Sequence, residues 1–278
     1  SIFKGKVESV LPGIGAAFVN IGLEKNGFLY VSDVVQGDGG YEKLFEEEPK
    51  EDKKKPEREK KLPPINEILK KGDEVLVQVV KEPIRSKGAR LTAHVSIPGR
   101  FIVMMPFDQH IGLSKRISDR HERDRIRKIL EEMKLPKDMG FIVRTAAGGE
   151  TKKDIEREIS YLTRMWQHIK FRAKKAKPPH LIHQEYDIVL RVVRDIFTGD
   201  VARFEVDSPN EFKRISKFLN IYAPELKTRL KLYHDKIPMF DKYDIQKQID
   251  KVYNRIVQLK SGGYLVFDET ESLIAIDV

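Results

Sequence analysis

Three groups of side chains in this sequence could do chemistry. The first is aromatic and basic. Phe18 and Phe28 stand in short alternating runs, Ala17-Phe-Val-Asn-Ile and Gly27-Phe-Leu-Tyr-Val, on either side of Lys25-Asn26-Gly27. If both rings share one outer strand face, with Lys81 and Lys87 of the KEPIRSKG segment beside them, they offer bases a stacking surface and phosphates a counter-charge. The same alternation also suits two phenylalanines of a barrel core. The second group is Arg144-Thr145, which follows the apolar run GFIV and precedes Ala-Ala-Gly-Gly. A guanidinium fork, a hydroxyl and the N–H donors of a glycine-rich turn could grip a terminal phosphate. Read alone, Arg-Thr is a poor signal, and an ordinary surface arginine is the default reading. The third is Asp277, ending the apolar run SLIAIDV. A carboxylate at the mouth of a buried strand needs a counter-ion, backbone donors or a metal.

The elements that must position these groups are mixed. The first thirty-odd residues alternate apolar and polar positions, with Pro12-Gly13 and Asn26-Gly27 as turns, the pattern of a small antiparallel barrel. Gln36 to Pro64 is charged and almost free of apolar residues, which reads as a long mobile loop. LKKGDEVLVQVVKE resumes the strand pattern, closing the barrel near Val95. Gly99–Pro106 and Met139–Ala146 read as strands. Between them lies a helix opened by an Asp119/Glu122 capping box. Glu150 to Lys177 reads as a longer helix, with Ile155, Ile159, Leu162, Trp166 and Ile169 on one face, stopped by Pro178-Pro179. Beyond it, DIVLRVVRDI and ARFEVD read as strands and Ser208-Pro-Asn-Glu as a helix start. LKLYH reads as a strand, YDIQKQIDKVYNRIVQL as an amphipathic helix, and YLVF with SLIAIDV as a closing hairpin.

KGKVESVLPGIGAAFVNIGLEKNGFL resembles the S1-type OB domain of the bacterial RNase E/G family of endoribonucleases. KGDEVLVQVVKEPIRSKGARLT, GFIVRTAAGG, LIHQE and SGGYLVFDETESLIAIDV resemble later segments of that family, in the same order. The resemblance implies an α+β multidomain chain. Its parts would be an S1-type OB domain over 1–95 with the charged loop at 36–64, a 5′-sensor subdomain over 96–180, an incomplete RNase H-like subdomain over 181–258, and the start of a DNase I-like subdomain over 259–278. It implies that Arg144 and Thr145 sense a 5′-monophosphate, helped by Gly99 and Val103, with Lys115 and Arg116 adding positive charge. It implies that Asp277 is one of two carboxylates holding a catalytic Mg2+, the second lying beyond residue 278. The expected activity is Mg2+-assisted hydrolysis of single-stranded RNA in RNA decay and rRNA processing, by an enzyme that forms homo-oligomers when whole. A non-catalytic single-stranded RNA-binding module is the alternative for these residues alone.

Composition narrows the rest. Lys and Arg number 52 against 43 Asp and Glu, a net charge of +9, which favours polyanionic partners. With no cysteine, disulfides and thiolate metal sites are excluded and a cytoplasmic location is expected. No apolar run approaches the roughly twenty residues of a membrane span. The seven histidines show no metal-ligand spacing. Ser1 and the terminal Asp-Val read as cuts in a longer chain.

Overall fold

A computed structural model describes residues 1–35, 62–84, 87–133, 135–136, 138–271 and 273–278. The charged stretch from residue 36 to 61 lies outside the described residues. The chain divides into two compact units, Ser1–Ile196 and Phe197–Val278.

The first unit opens with β1 (Ile2–Leu11), β2 (Ala16–Asn20) and β3 (Gly27–Tyr30), followed by β4 (Glu74–Lys81) and β5 (Arg90–Thr92). They hydrogen-bond in the order β1-β2-β3-β5-β4, and β4 pairs back onto β1, so the sheet closes into a five-stranded, OB-type barrel. Closure depends on β1 changing partners. Residues 2–6 pair with β4, residues 6–11 with β2, and the register slips between Val7 and Ser9, a bulge that bends the strand. Gly5 sits at this crossing because a Cβ there would lie 2.5 Å from Cγ1 of Val19. Val7, Ala17, Val19, Leu29, Val77 and Leu91 fill the barrel, and a single helical turn, Ile65–Ile68, adds buried Ile65.

A second sheet follows, from β6 (Ile97–Pro98), β7 (Ile102–Met105), β8 (Ile111–Leu113) and β9 (Gly140–Val143), ordered β6-β7-β9-β8. Helices α1 (Arg120–Glu132) and α2 (Lys152–Lys175) cover it. The predicted stripe of α2 is its buried face: Ile155, Ile159, Leu162, Trp166 and Ile169 all enter the core with Phe141, Val143 and Met104. After α2, β10 (His180–His183) pairs antiparallel with the start of β1, adding a strand to the barrel sheet.

DIVLRVVRDI, expected as a strand, is helical: α3 (Ile188–Asp195) is capped by Asp187, whose Oδ1 accepts the Leu190 N–H at 3.1 Å. The β-branched residues argue for a strand by type, but the buried positions Leu190, Val193 and Arg194 are spaced by three and one, which only a helix puts on one face.

In the second unit β11 (Phe204–Val206) and β12 (Leu230–Leu232) form a parallel pair joined through α4 (Pro209–Tyr222), whose N-cap is the predicted Ser208. The amphipathic helix expected over 243–259 is shorter. Helix α5 (Ile245–Val252) ends early and Ile256–Gln258 becomes β13, because Ile256 and Val257 find ladder partners in Val266 and Leu265 of β14 (Tyr264–Glu269). β14 then pairs with β15 (Ile274–Asp277) as the predicted closing hairpin. Among the described residues nothing covers Ile274 and Ile276 of β15, which are exposed.

Candidate RNA-binding face and phosphate pocket

Alternation on a closed barrel decides where the phenylalanines point. In β2 and β3, Ala17, Val19 and Leu29 are fully buried, so Phe18 and Phe28 must face outward, and both are half-buried. They are directly opposite in register, with ring centroids 5.3 Å apart edge to face. Tyr30 extends the row, its ring 4.4 Å from Phe28. Arg90 of β5 lies over Tyr30 at 5.6 Å and pairs with Asp33 at 3.3 Å. Lys81 is exposed and registers opposite Arg90. Lys87 is exposed and exchanges backbone hydrogen bonds with Ile84. Two residues on, Ala89 O accepts the Phe28 N–H at 2.7 Å, which sets the Lys87 segment beside the aromatic hairpin. Tyr30 was legible as the next same-face residue after Phe28. Arg90 was not, because only the parallel β3–β5 pairing brings it there.

Of the phosphate candidates, Arg144 reaches Gly99 in the loop between β6 and β7, and Thr145 meets the turn that carries Lys115 and Arg116. Arg144 donates from Nη1 to the Gly99 carbonyl at 2.7 Å and to Asp195 Oδ1 at 2.6 Å. Its own N–H is held by the Phe101 carbonyl. Thr145 is exposed, its hydroxyl 3.1 Å from that of Ser114, which also accepts the Arg116 N–H. Lys115 and Arg116 are exposed on the same turn. Val103 contributes no side chain to this surface: it is buried in β7, paired with Pro98 and Ile142.

The loop is clamped from beneath by Glu158, a residue not anticipated in this role. Its carboxylate accepts the N–H groups of Arg100, Phe101 and Ile102 at 2.6, 2.7 and 2.8 Å. Burial pushes its pKa up, against the three N–H donors and the Arg144 charge that favour the anion. A Cβ on Gly99 would meet that carboxylate at 2.7 Å, so only glycine lets the loop approach. The sequence did hold a signal: Glu158 is the one charged residue on the apolar stripe of α2, three after Ile155 and four before Leu162.

The glycine-rich turn is fixed from another side. Asp119 caps α1 through the His121 N–H, but the expected reciprocal capping box does not form. Glu122 instead holds Arg125 at 2.6 and 2.7 Å and accepts the Gly149 N–H at 2.9 Å. The hydrogen bond from Arg125, then that from Gly149, lowers its pKa to about 2.

Asp277 is exposed at the end of β15 and accepts the N–H of Val278 at 3.0 Å. As a hard oxygen donor it suits magnesium as one ligand. Among the described residues no group of three or more possible ligands comes together, so these residues do not by themselves make a magnesium site. Among the described residues, no helix is long and apolar enough to cross a membrane.

A profile of the Ribonuclease E/G family matches residues 96–278. The chain belongs to the Ribonuclease E/G family. Ribonuclease G of Salmonella typhimurium (strain SL1344) is 37% identical across 100% of this chain and 54% of its own length. Ribonuclease G of Escherichia coli (strain K12) is 36% identical over the same shares. Ribonuclease E of Haemophilus influenzae is 34% identical across the whole chain and 28% of its own length. The chain thus spans about half the length of the Ribonuclease G relatives it matches. The family profile takes in Arg144, Thr145 and Asp277, and the relatives extend the likeness over the barrel.

Proposed function

We propose that this chain is the substrate-gripping part of a single-strand-specific endoribonuclease. The observation that carries the reading is the outward row of Phe18, Phe28 and Tyr30 on a closed barrel, with Lys81 at the end of β4, Arg90 at the start of β5 and Lys87 in the segment between them. Duplex bases are already stacked on one another and cannot reach such rings; unpaired bases can. Membership of the Ribonuclease E/G family supports RNA as the ligand and phosphodiester hydrolysis as the reaction of the whole protein.

Arg144, Thr145 and the donors around Gly99 serve in this reading as a pocket for a 5′-monophosphate, with Lys115 and Arg116 supplying further positive potential. Val103 acts only by shaping the loop's backbone. Mg2+ is the proposed cofactor. Asp277 would supply one of its carboxylate oxygens, and bound magnesium would supply charge compensation at the scissile phosphate and an activated water. RNA decay and rRNA processing in the cytoplasm, by a homo-oligomer, complete the proposal. The alternative, a purely RNA-binding module, is favoured for these residues taken alone, because Asp277 stands without a ligand cluster among the described residues.

Competition between a single strand and its duplex tests the reading. The chain is expected to bind the single strand preferentially, and Phe28→Ala to lose on the order of 1–3 kcal/mol, one stacked base. Equal affinity for both forms, or an unaltered Phe28→Ala variant, would refute it.

A further inference from the structure

Asp195 is an anomaly on electrostatic grounds. It is the last residue of α3, where the helix carbonyls concentrate negative charge and a carboxylate is disfavoured. Two arginines offset this. Arg194, 6% exposed, donates from Nε and Nη2 to the Asp195 carboxylate at 3.1 and 2.9 Å. Its Nη1 is spent on the Pro98 carbonyl at 3.1 Å and on Glu185 at 3.0 Å. The Asp195 carboxylate is therefore fixed by a buried guanidinium that donates from all three of its nitrogens. From that base its Oδ1 accepts Nη1 of Arg144. Burial raises the Asp195 pKa, but the hydrogen bonds from Arg194 and Arg144 outweigh this and hold it below the ordinary range, so the group is an anion at neutral pH.

The geometry at Arg144 shows what this arrangement accomplishes. Both of its side-chain hydrogen bonds, to Gly99 O and to Asp195, leave from Nη1. Nε and Nη2, the edge that matches two phosphate oxygens, make none among the described residues. The Arg144 side chain is a third exposed. A free arginine would sweep many rotamers, and one held at a single nitrogen has already lost that freedom before a ligand arrives.

We propose that Asp195 is a positioning residue for phosphate recognition: it holds Arg144 by Nη1 so that the Nε–Nη2 edge is presented to the terminal phosphate of RNA. This rests on the 5′-phosphate reading of Arg144. Asp195 does not compete with the ligand; it stays in place while the phosphate uses the other edge.

The test measures binding of one short single-stranded RNA bearing a 5′-monophosphate or a 5′-hydroxyl, to the wild-type chain and to Arg144→Ala, Asp195→Ala and Asp195→Asn, with the melting temperature of each. Wild type is expected to prefer the monophosphate by at least about tenfold, as one charge-assisted contact allows, and Arg144→Ala to abolish that preference. Asp195→Ala should lose most of the preference while binding the 5′-hydroxyl RNA as wild type does. Asp195→Asn, which keeps an oxygen for Nη1, should restore it; a merely structural ion pair would alter melting temperature and leave the ratio alone. If Arg144→Ala acts but Asp195→Ala leaves the preference intact, or either Asp195 variant strengthens it, the positioning role is wrong and the pocket reading stands. If Arg144→Ala has no effect, the pocket reading itself fails. Should Asp195→Ala not fold, Asp195→Ser, too short to reach Nη1, gives the same reading.

Discussion

Glu122 shows how one side chain can serve both helix and site. Its carboxylate links the first turn of α1 to Gly149, at the end of the turn that begins with Thr145. Because its folded pKa, about 2, lies below the ordinary 4.5, the stabilisation it provides is fully present above that ordinary value and is lost as pH falls towards 2. Glu122→Gln should therefore lower the melting temperature at pH 6, and the difference from wild type should vanish near pH 2. A difference independent of pH would assign the effect to packing. Tyr30 is the residue-scale prediction on the barrel: Tyr30→Ala should weaken single-stranded RNA binding by roughly 1 kcal/mol or more, as for any stacking position, in a titration against wild type. No loss would confine stacking to the two phenylalanines.

Among the elements, α2 and α3 show how far sequence pattern reaches. The α2 stripe was readable because five apolar residues repeat at helical spacing over a long run. Trp166→Ala, leaving a hole among buried residues, should cost about 3–5 kcal/mol in denaturant unfolding. By contrast α3 is a helix where residue types point to a strand. Ile188, Val189, Val192 and Val193 favour a strand by residue type, and the decisive features were an N-cap Asp and a buried Arg194 whose partners, Pro98 and Glu185, come from elsewhere in the fold. Asp187→Ala should destabilise the first unit by about 1 kcal/mol through the lost cap. No change in stability would mean that packing alone sets the helix start. The β13 strand was hidden for a similar reason: nothing in Ile256-Val257 itself announces the β14 edge that captures it. The outward direction of the phenylalanines, in turn, follows from barrel closure, which fixes the face that is full.

For the whole molecule, the division at Ile196 carries a consequence. Every proposed RNA-binding and phosphate-binding residue, and Asp195 with them, lies in the first unit; only Asp277 lies in the second. The first unit has its own two hydrophobic cores, one in the barrel and one around Trp166. Residues 1–196 expressed alone should fold cooperatively and bind single-stranded RNA with the affinity of the full chain, as judged by thermal unfolding and titration. A large loss of affinity would place part of the RNA site in residues 197–278. The site was only partly legible at this scale. Residue types and motifs marked the aromatic pair and Arg144, whereas Glu158, Arg194 and Asp195, which fix the pocket, are joined to it by contacts spanning 50 to 100 residues of sequence.

The outward aromatic row on the barrel, edged with lysine, is the proposed RNA-binding surface. The most direct measurement is the salt dependence of binding for a single-stranded 5′-hydroxyl RNA, compared among wild type, Phe18→Ala/Phe28→Ala and Lys81→Gln/Lys87→Gln. Stacking carries no counter-ions, so the aromatic variant should lose affinity equally at every salt concentration with the slope unchanged. Each lysine that meets a phosphate contributes about 0.7 to the slope of log K against log salt, so the lysine variant should show a shallower line. An aromatic variant that binds as tightly as wild type across the salt range would place the RNA site away from this row.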